Sequence, residues 1–168
     1  MSKSGVKYCL DTNILIQAWQ KYYSPMFCPD YWQVLNQLGV LGQIFIPEEV
    51  KDEMLKTDDD LSKWIKGCQI PIVKTNQTVT ENLSKIYAAD PLHKFLVDNT
   101  KARSLADPWV IAHAMTENAT VVTQEVKVTA VSSKRIKIPN VCENMDIRCI
   151  NDFKMIDELN IKFGCEIL

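Results

Sequence analysis

The chain has 168 residues, 46% of them apolar and 24% charged, which is the size and balance of one ordinary globular domain. Nineteen basic residues against 21 acidic ones leave a net charge of −2, so bulk charge gives no hint of a nucleic-acid partner. The composition excludes a collagen-like chain, a coiled coil and a disordered chain, and no apolar run is longer than four residues, against about 20 for a membrane-spanning helix.

Apolar runs of strand length alternate with longer helical patterns. Residues 6–10 read as the first strand and 12–22 as the helix after it. Pro29 opens a second helix over 30–38, closed by Gly39. Residues 44–46 form a short buried strand, and Pro47 starts a helix with Glu48 and Glu49 in its first turn, where the dipole favours acids. Asp58, Asp59 and Asp60 begin another helix, ending at Gly67. Residues 70–73 read as a third strand, at an edge because of Pro71. A helical region covers 80–99 with a break near Asp90-Pro91. Residues 108–118 are helical, 120–123 and 148–150 are strands, and a last helix runs over 152–159. This alternation predicts an α/β fold with a mostly parallel sheet, and residues 1–168 as a single domain.

The six cysteines show no CxxC spacing, and with two histidines a zinc site is not expected. Asp11 and Asn13 interrupt the short apolar stretch near the N-terminus, so no secretory signal is expected. A reduced, cytoplasmic protein follows from these readings. The five glycines form neither GxxxxGK[ST] nor GxGxxG, which disfavours a GTPase or a dinucleotide enzyme.

In parallel sheets the ligand site lies beyond the carboxyl ends of the strands, and there the chain carries acids. Asp11 follows the first strand, Glu125 the fourth, Glu53 lies in the helix after the second, and Asp107 opens the helix leading into the fourth. Each has an ordinary alternative: Asp11 and Asp107 are good helix caps and Glu125 a solvated loop residue. Capping does not explain the set. On the helix from Pro47, Val50 and Met54 mark the buried face. Glu53 lies about 80° from its centre and Glu49 about 120°. Glu53 is therefore the better candidate, with Glu49 in reserve. Two carboxylates about 4 Å apart repel by about 4 kcal/mol at an effective dielectric near 20, so a set like this calls for protons or a cation. All-oxygen donors suit Mg²⁺ or Mn²⁺, and such an ion is equipped for phosphodiester hydrolysis.

The Asp11-Thr12-Asn13 motif after a strand, Glu53 in the third helix, Ala106-Asp107-Pro108 with Ile111-Ala112 one turn on, and Val122-Thr123-Gln124-Glu125 together resemble the PIN (PilT N-terminus) family, the fold of VapC-type toxin ribonucleases. The resemblance extends over residues 6–153 and looks closest to a PIN-like subfamily of small prokaryotic proteins. It implies a three-layer fold with a five-stranded parallel sheet of order 3-2-1-4-5 and helices on both faces. It also implies a metal-dependent endoribonuclease, the toxin of a toxin–antitoxin pair, with an RNA substrate, an antitoxin partner and a homodimer. Asp11, Glu53, Asp107 and Glu125 would be the metal-binding and catalytic acids, and Thr12, Asn13 and Thr123 would support them through hydrogen bonds. The family's usual last motif is Thr-x-Asp, where this chain has Thr123-Gln124-Glu125.

Residues 126–142 contain no acid but carry Lys127, Lys134, Arg135 and Lys137, and Lys101 and Arg103 shortly precede Asp107. These are the candidate phosphate contacts. The four tryptophans are expected in the core, His113 is expected to be structural, and Tyr22 and Tyr23 are candidates for partner contact. Two other functions stay open. One is a PIN-like RNA- or protein-binding module with an idle metal site. The other is a phosphatase of the haloacid-dehalogenase type, which wants Asp-x-Asp where this chain has Asn13.

Overall fold

The computed structural model describes residues 5–97, 104–130 and 135–168. Lys101, Arg103 and Lys134 lie outside the described residues. Strands β1 (Tyr8–Leu10), β2 (Ile44–Pro47), β3 (Ile72–Val73), β4 (Thr120–Val122) and β5 (Cys149–Ile150) form one sheet of order β3-β2-β1-β4-β5. Every pairing is parallel: Tyr8 pairs with Ile44 and Thr120, Leu10 with Val122, Ile46 with Ile72, and Val122 with Ile150. This is the order and the layered α/β architecture that the resemblance implies. All five strands end at the same edge, and order reverses between β1 and β4, where ligands of such sheets bind.

The strands are short but nearly all buried, β1, β2 and β4 throughout, as expected for parallel strands covered on both faces. Helices α1 (Thr12–Gln17), α2 (Pro29–Val40), α3 (Glu48–Met54), α4 (Asp60–Gly67), α5 (Gln77–Ala89), α6 (Asp107–Glu117), α7 (Ile138–Asn144) and α8 (Asp152–Glu158) surround them. Helix α6 is the central one. Val110, Ile111, Ala112 and Ala114 are all buried, because it packs on α5 and on β1, β2 and β4 at once. Asn118 ends it at φ +50°, a left-handed conformation that asparagine tolerates.

Several boundaries differ from the sequence reading, each for a local reason. After Gln17 the first helix widens into a π-helical turn, Ala18–Tyr22, closed by the Tyr23 N–H on the Ala18 carbonyl. That turn directs Tyr23 inward, where it stacks on Tyr31 at 4.2 Å, and leaves Tyr22 exposed against Phe153 at 5.6 Å. Only Tyr22 of the two is open to a partner. Helix α2 does not stop at Gly39. Its backbone packs against residues 69–70 so closely that a Cβ there would lie 2.7 Å from the Ile70 Cα, so glycine is needed for contact and not for termination. Helix α5 begins three residues early because the Asn76 side chain accepts the Val79 N–H at 3.0 Å. It breaks at Asp90, as read, and a 3₁₀ segment (Pro91–Leu96) follows.

Helix α7 was not anticipated. It starts with Pro139 in its first turn and buries Ile138, Val141 and Cys142. Asn140 braces the approach to it, accepting from the Val128 and Lys137 N–H groups. Trp32 is buried and packs edge to face with Trp19 and Trp64, and Trp109 is partly buried against the core. All six cysteines are free thiols. Among the described residues no helix is long and apolar enough to cross a membrane.

Candidate functional site

Asp11 is placed by the first strand. Its N–H donates to the Val122 carbonyl at 3.0 Å, continuing the β1–β4 ladder by one residue. The side chain then turns to cap α1, with Oδ1 accepting the Thr12 N–H at 2.7 Å. The cap is real, but it uses only one oxygen. Oδ2 accepts the Thr123 hydroxyl at 2.8 Å from the end of β4. Asp11 is therefore both a cap and a member of the strand-end set.

Thr123 binds the two strand ends together. Its hydroxyl proton goes to Asp11, and its oxygen accepts from Asn13 Nδ2 at 3.2 Å and from the Glu125 N–H at 3.1 Å. Asn13 Oδ1 accepts the Gln124 N–H at 2.9 Å. Both ends of the Asn13 amide are thus spent on holding the β4 loop, a role that does not need the acid a phosphatase would place there. The Thr12 hydroxyl donates to Glu53 Oε2 at 3.2 Å, so α3 is tied to α1 through the acid chosen from its face. Thr12, Asn13 and Thr123 all touch the acids or the loop that carries them.

Glu49 stands elsewhere. It accepts from His113 Nε2 at 3.1 Å and from the Thr75 hydroxyl, and Glu48 beside it accepts the Thr75 N–H at 2.6 Å. Burial pushes the Glu49 carboxyl up, but the bonds from His113 and Thr75 outweigh it and hold the pKa below its ordinary value. Glu49 and the buried His113 join α3 to α6, so both Glu49 oxygens are engaged with His113 and Thr75.

Asp107, at the start of α6, is 7% exposed and Asp11 2%. Asp11 feels the charges of Glu125 and Glu53, and Asp107 feels those of Asp11, Glu125 and Glu53. The four acids from four segments therefore share one field. Burial first, with this repulsion added, raises Asp11 to about 7 and Asp107 to about 9. Among the described residues no three His, Cys, Asp or Glu groups stand close enough to hold one ion directly. The donor chemistry still fits a hard cation: two buried carboxyls, two more acids in electrostatic reach, and oxygen throughout.

Glu125 is engaged away from the others. Oε2 accepts the Ile138 N–H at 2.9 Å and Oε1 lies 3.4 Å from Lys137 Nζ. Lys127 pairs with Glu143, and Arg135 is exposed on the same segment. Lys127 and Lys137 thus lie beside the acid edge, Lys137 on Glu125 itself.

One residue at this edge escaped the sequence reading. Asp152 comes two residues after β5, as the first residue of α8. It is fully buried, and its Oδ1 accepts from the Gln124 amide and from the Phe153 N–H at 2.9 Å. Its Oδ2 is buried with no hydrogen-bond partner among the described residues, and burial raises its pKa. The strand-end rule that picked out Asp11 applies equally to Asp152.

A family model described as a domain of unknown function, DUF4411, matches residues 8–163. The chain belongs to the DUF4411 family. No curated protein matches it. Among solved structures, a chain of VapBC2 from Rickettsia felis, crystallised bound to a DNA fragment from their promoter, matches this DUF4411 chain with a TM-score of 0.53. Identity is 21%, and the match covers 87% of this chain and 98% of that one. At that identity the likeness is one of fold.

Proposed function

We propose that this DUF4411 protein is a metal-dependent endoribonuclease acting as the toxin of a toxin–antitoxin pair. The observation that carries the reading is that Asp11, Glu53, Asp107 and Glu125, from four separate segments, share one electrostatic field at the β1–β4 edge, two of them buried and raised in pKa by burial first and by that company second. Acids whose pKa values are shifted by burial together with specific charged neighbours are candidates for a functional site. The fold shared with VapBC2 supports the toxin–antitoxin setting, with an antitoxin protein and a second copy of the chain as partners and a reducing cytoplasm as the compartment.

Asp11, Glu53, Asp107 and Glu125 would hold Mg²⁺ or Mn²⁺. When bound, the ion lowers the pKa of its water and neutralises charge on the phosphate. The chain's own groups do the rest. The Thr123 hydroxyl and the Thr12 N–H hold the Asp11 carboxylate in one orientation. Thr12 does the same for Glu53. Asn13 fixes the loop that carries Glu125. Lys127, Arg135 and Lys137, with Lys101, Arg103 and Lys134, contact phosphates along the RNA and set its register.

The test is cleavage of single-stranded RNA with Mg²⁺ or Mn²⁺, compared with Asp11→Asn and with EDTA. Loss of cleavage in both controls is expected. Activity that survives either one refutes the assignment. The engagement of both Glu125 oxygens by Ile138 and Lys137 favours a second reading, an RNA- or protein-binding module with an idle metal site. Calorimetric titration with Mn²⁺ separates the two, since the module takes up RNA or a protein without the metal.

A further inference from the structure

Beside the acid edge, between the ends of β4 and β5, lies an open cavity of about 260 Å³. Thr123, whose hydroxyl donates to Asp11, and Glu125 both line it, so the cavity adjoins the candidate site. Val126, Pro139 and Ile150 give it apolar walls, and Cys149 lines it from β5. Its volume falls just below the ~300 Å³ at which small-molecule sites usually begin. That is room for one planar ring system, not for a larger ligand.

The charged groups around it cancel one another. Glu125 and Lys127 contribute one charge of each sign, and each is already paired, Glu125 with Ile138 and Lys137 and Lys127 with Glu143. Asn151 gives its Oδ1 to the Lys154 N–H at 2.9 Å, which leaves its NH₂ as the donor. A lining with no net charge and with both donors and acceptors between apolar walls suits a neutral heterocycle read along its edge. Single-stranded RNA offers such a group, because its unstacked bases can be splayed into a pocket. A duplex cannot enter a cavity this small.

We propose that this cavity binds one nucleobase of single-stranded RNA and so places the neighbouring phosphodiester at the acids. The inference rests on the ribonuclease reading. It adds a specificity subsite whose walls come from β5 and from the start of α7, with Glu125 and Lys127 at its border.

The test uses the full-length protein in EDTA, so that it does not depend on metal or on cleavage. Nucleoside 5′-monophosphates and, separately, ribose 5-phosphate are titrated calorimetrically. At least one nucleotide is expected to bind, and ribose 5-phosphate is not. Val126 is 79% exposed, so Val126→Trp can fill the cavity without disturbing the core, and it is expected to abolish the binding. Cys149 reports the location. Its alkylation by N-ethylmaleimide, followed peptide by peptide, is expected to slow about tenfold at a nucleotide concentration about ten times the dissociation constant, while the exposed Cys165 is unaffected. Failure of every nucleotide to bind overturns the proposal, as does equal binding by ribose 5-phosphate or unchanged binding in Val126→Trp. RNA cleavage without nucleotide binding removes the subsite and leaves the nuclease. Nucleotide binding without cleavage removes the nuclease and leaves the cavity as a base site.

Discussion

Glu125 accepts the Ile138 N–H at 2.9 Å, so the last acid of the set is tied to the first residue of a helix thirteen positions away. Ile138 opens α7, and its N–H is one of the donors that a helix start leaves without an intrahelical partner. A glutamate reaches it; an aspartate, one methylene shorter, does not. The departure from Thr-x-Asp therefore has a structural consequence. Glu125 links the candidate site to α7 and, through Lys137 at 3.4 Å, to the basic run.

Glu125→Asp is expected to lower stability by about 1 kcal/mol, the usual cost of losing a helix cap. Glu125→Gln keeps an acceptor for Ile138 and should lose less. Urea unfolding checks this: the midpoint should fall for the aspartate variant with no change in slope.

Thr123→Val keeps the shape of the side chain but removes the hydroxyl that serves Asp11, Asn13 and Glu125 together. Losing a group that orients a ligand typically costs about 10–100-fold in metal affinity or activity. A Mn²⁺ titration followed by electron paramagnetic resonance should show a weaker dissociation constant by that factor, with RNA cleavage falling alongside. An unchanged constant would remove Thr123 from the site.

The raised carboxyls make stability depend on pH with a definite sign. Asp11 and Asp107 titrate at about 7 and about 9 in the folded protein, against an ordinary value of 3.8. From about pH 4 up to those values the folded state holds more protons than the unfolded state, so stability falls as pH rises. In EDTA the Tm is expected to drop between pH 5 and pH 9, by about 2–4 °C for each kcal/mol lost. Mg²⁺ should raise the Tm more at pH 8 than at pH 5, because it offsets the repulsion only where the carboxyls are ionised. Asp107→Asn should flatten the slope.

Gly39→Ala tests the contact between α2 and residues 69–70. Alanine is about 1 kcal/mol better than glycine inside a helix. Here its Cβ would meet the Ile70 Cα at 2.7 Å and the Gln69 carbonyl oxygen at 2.8 Å, and forced overpacking costs about 1–3 kcal/mol. A net loss of a few degrees in Tm is expected by calorimetry; a gain would show that the contact relaxes freely.

The alternation of buried strands and helices was legible in the chain itself, and with the resemblance it led to the order β3-β2-β1-β4-β5 that the structure shows. So were the strand-end acids, because a parallel sheet brings every strand's carboxyl end to one edge whatever the distances along the chain. The helical angle separated Glu53 from Glu49, and the structure gives them different partners: Glu53 meets Thr12, while Glu49 faces His113. What depended on contacts between distant segments was not legible. Nothing in a one-dimensional pattern tells that Thr123 spends its proton on Asp11, that Glu125 turns to α7, or that Gln124 reaches Asp152. Helix α7, seven residues long, is too short for periodicity to show above background, and packing at Ile138, Val141 and Cys142 makes it a helix. Periodicity and turn chemistry act between neighbours and are written in order along the chain. Hydrogen-bond choice among competing partners is settled only when the sheet edge brings them within reach.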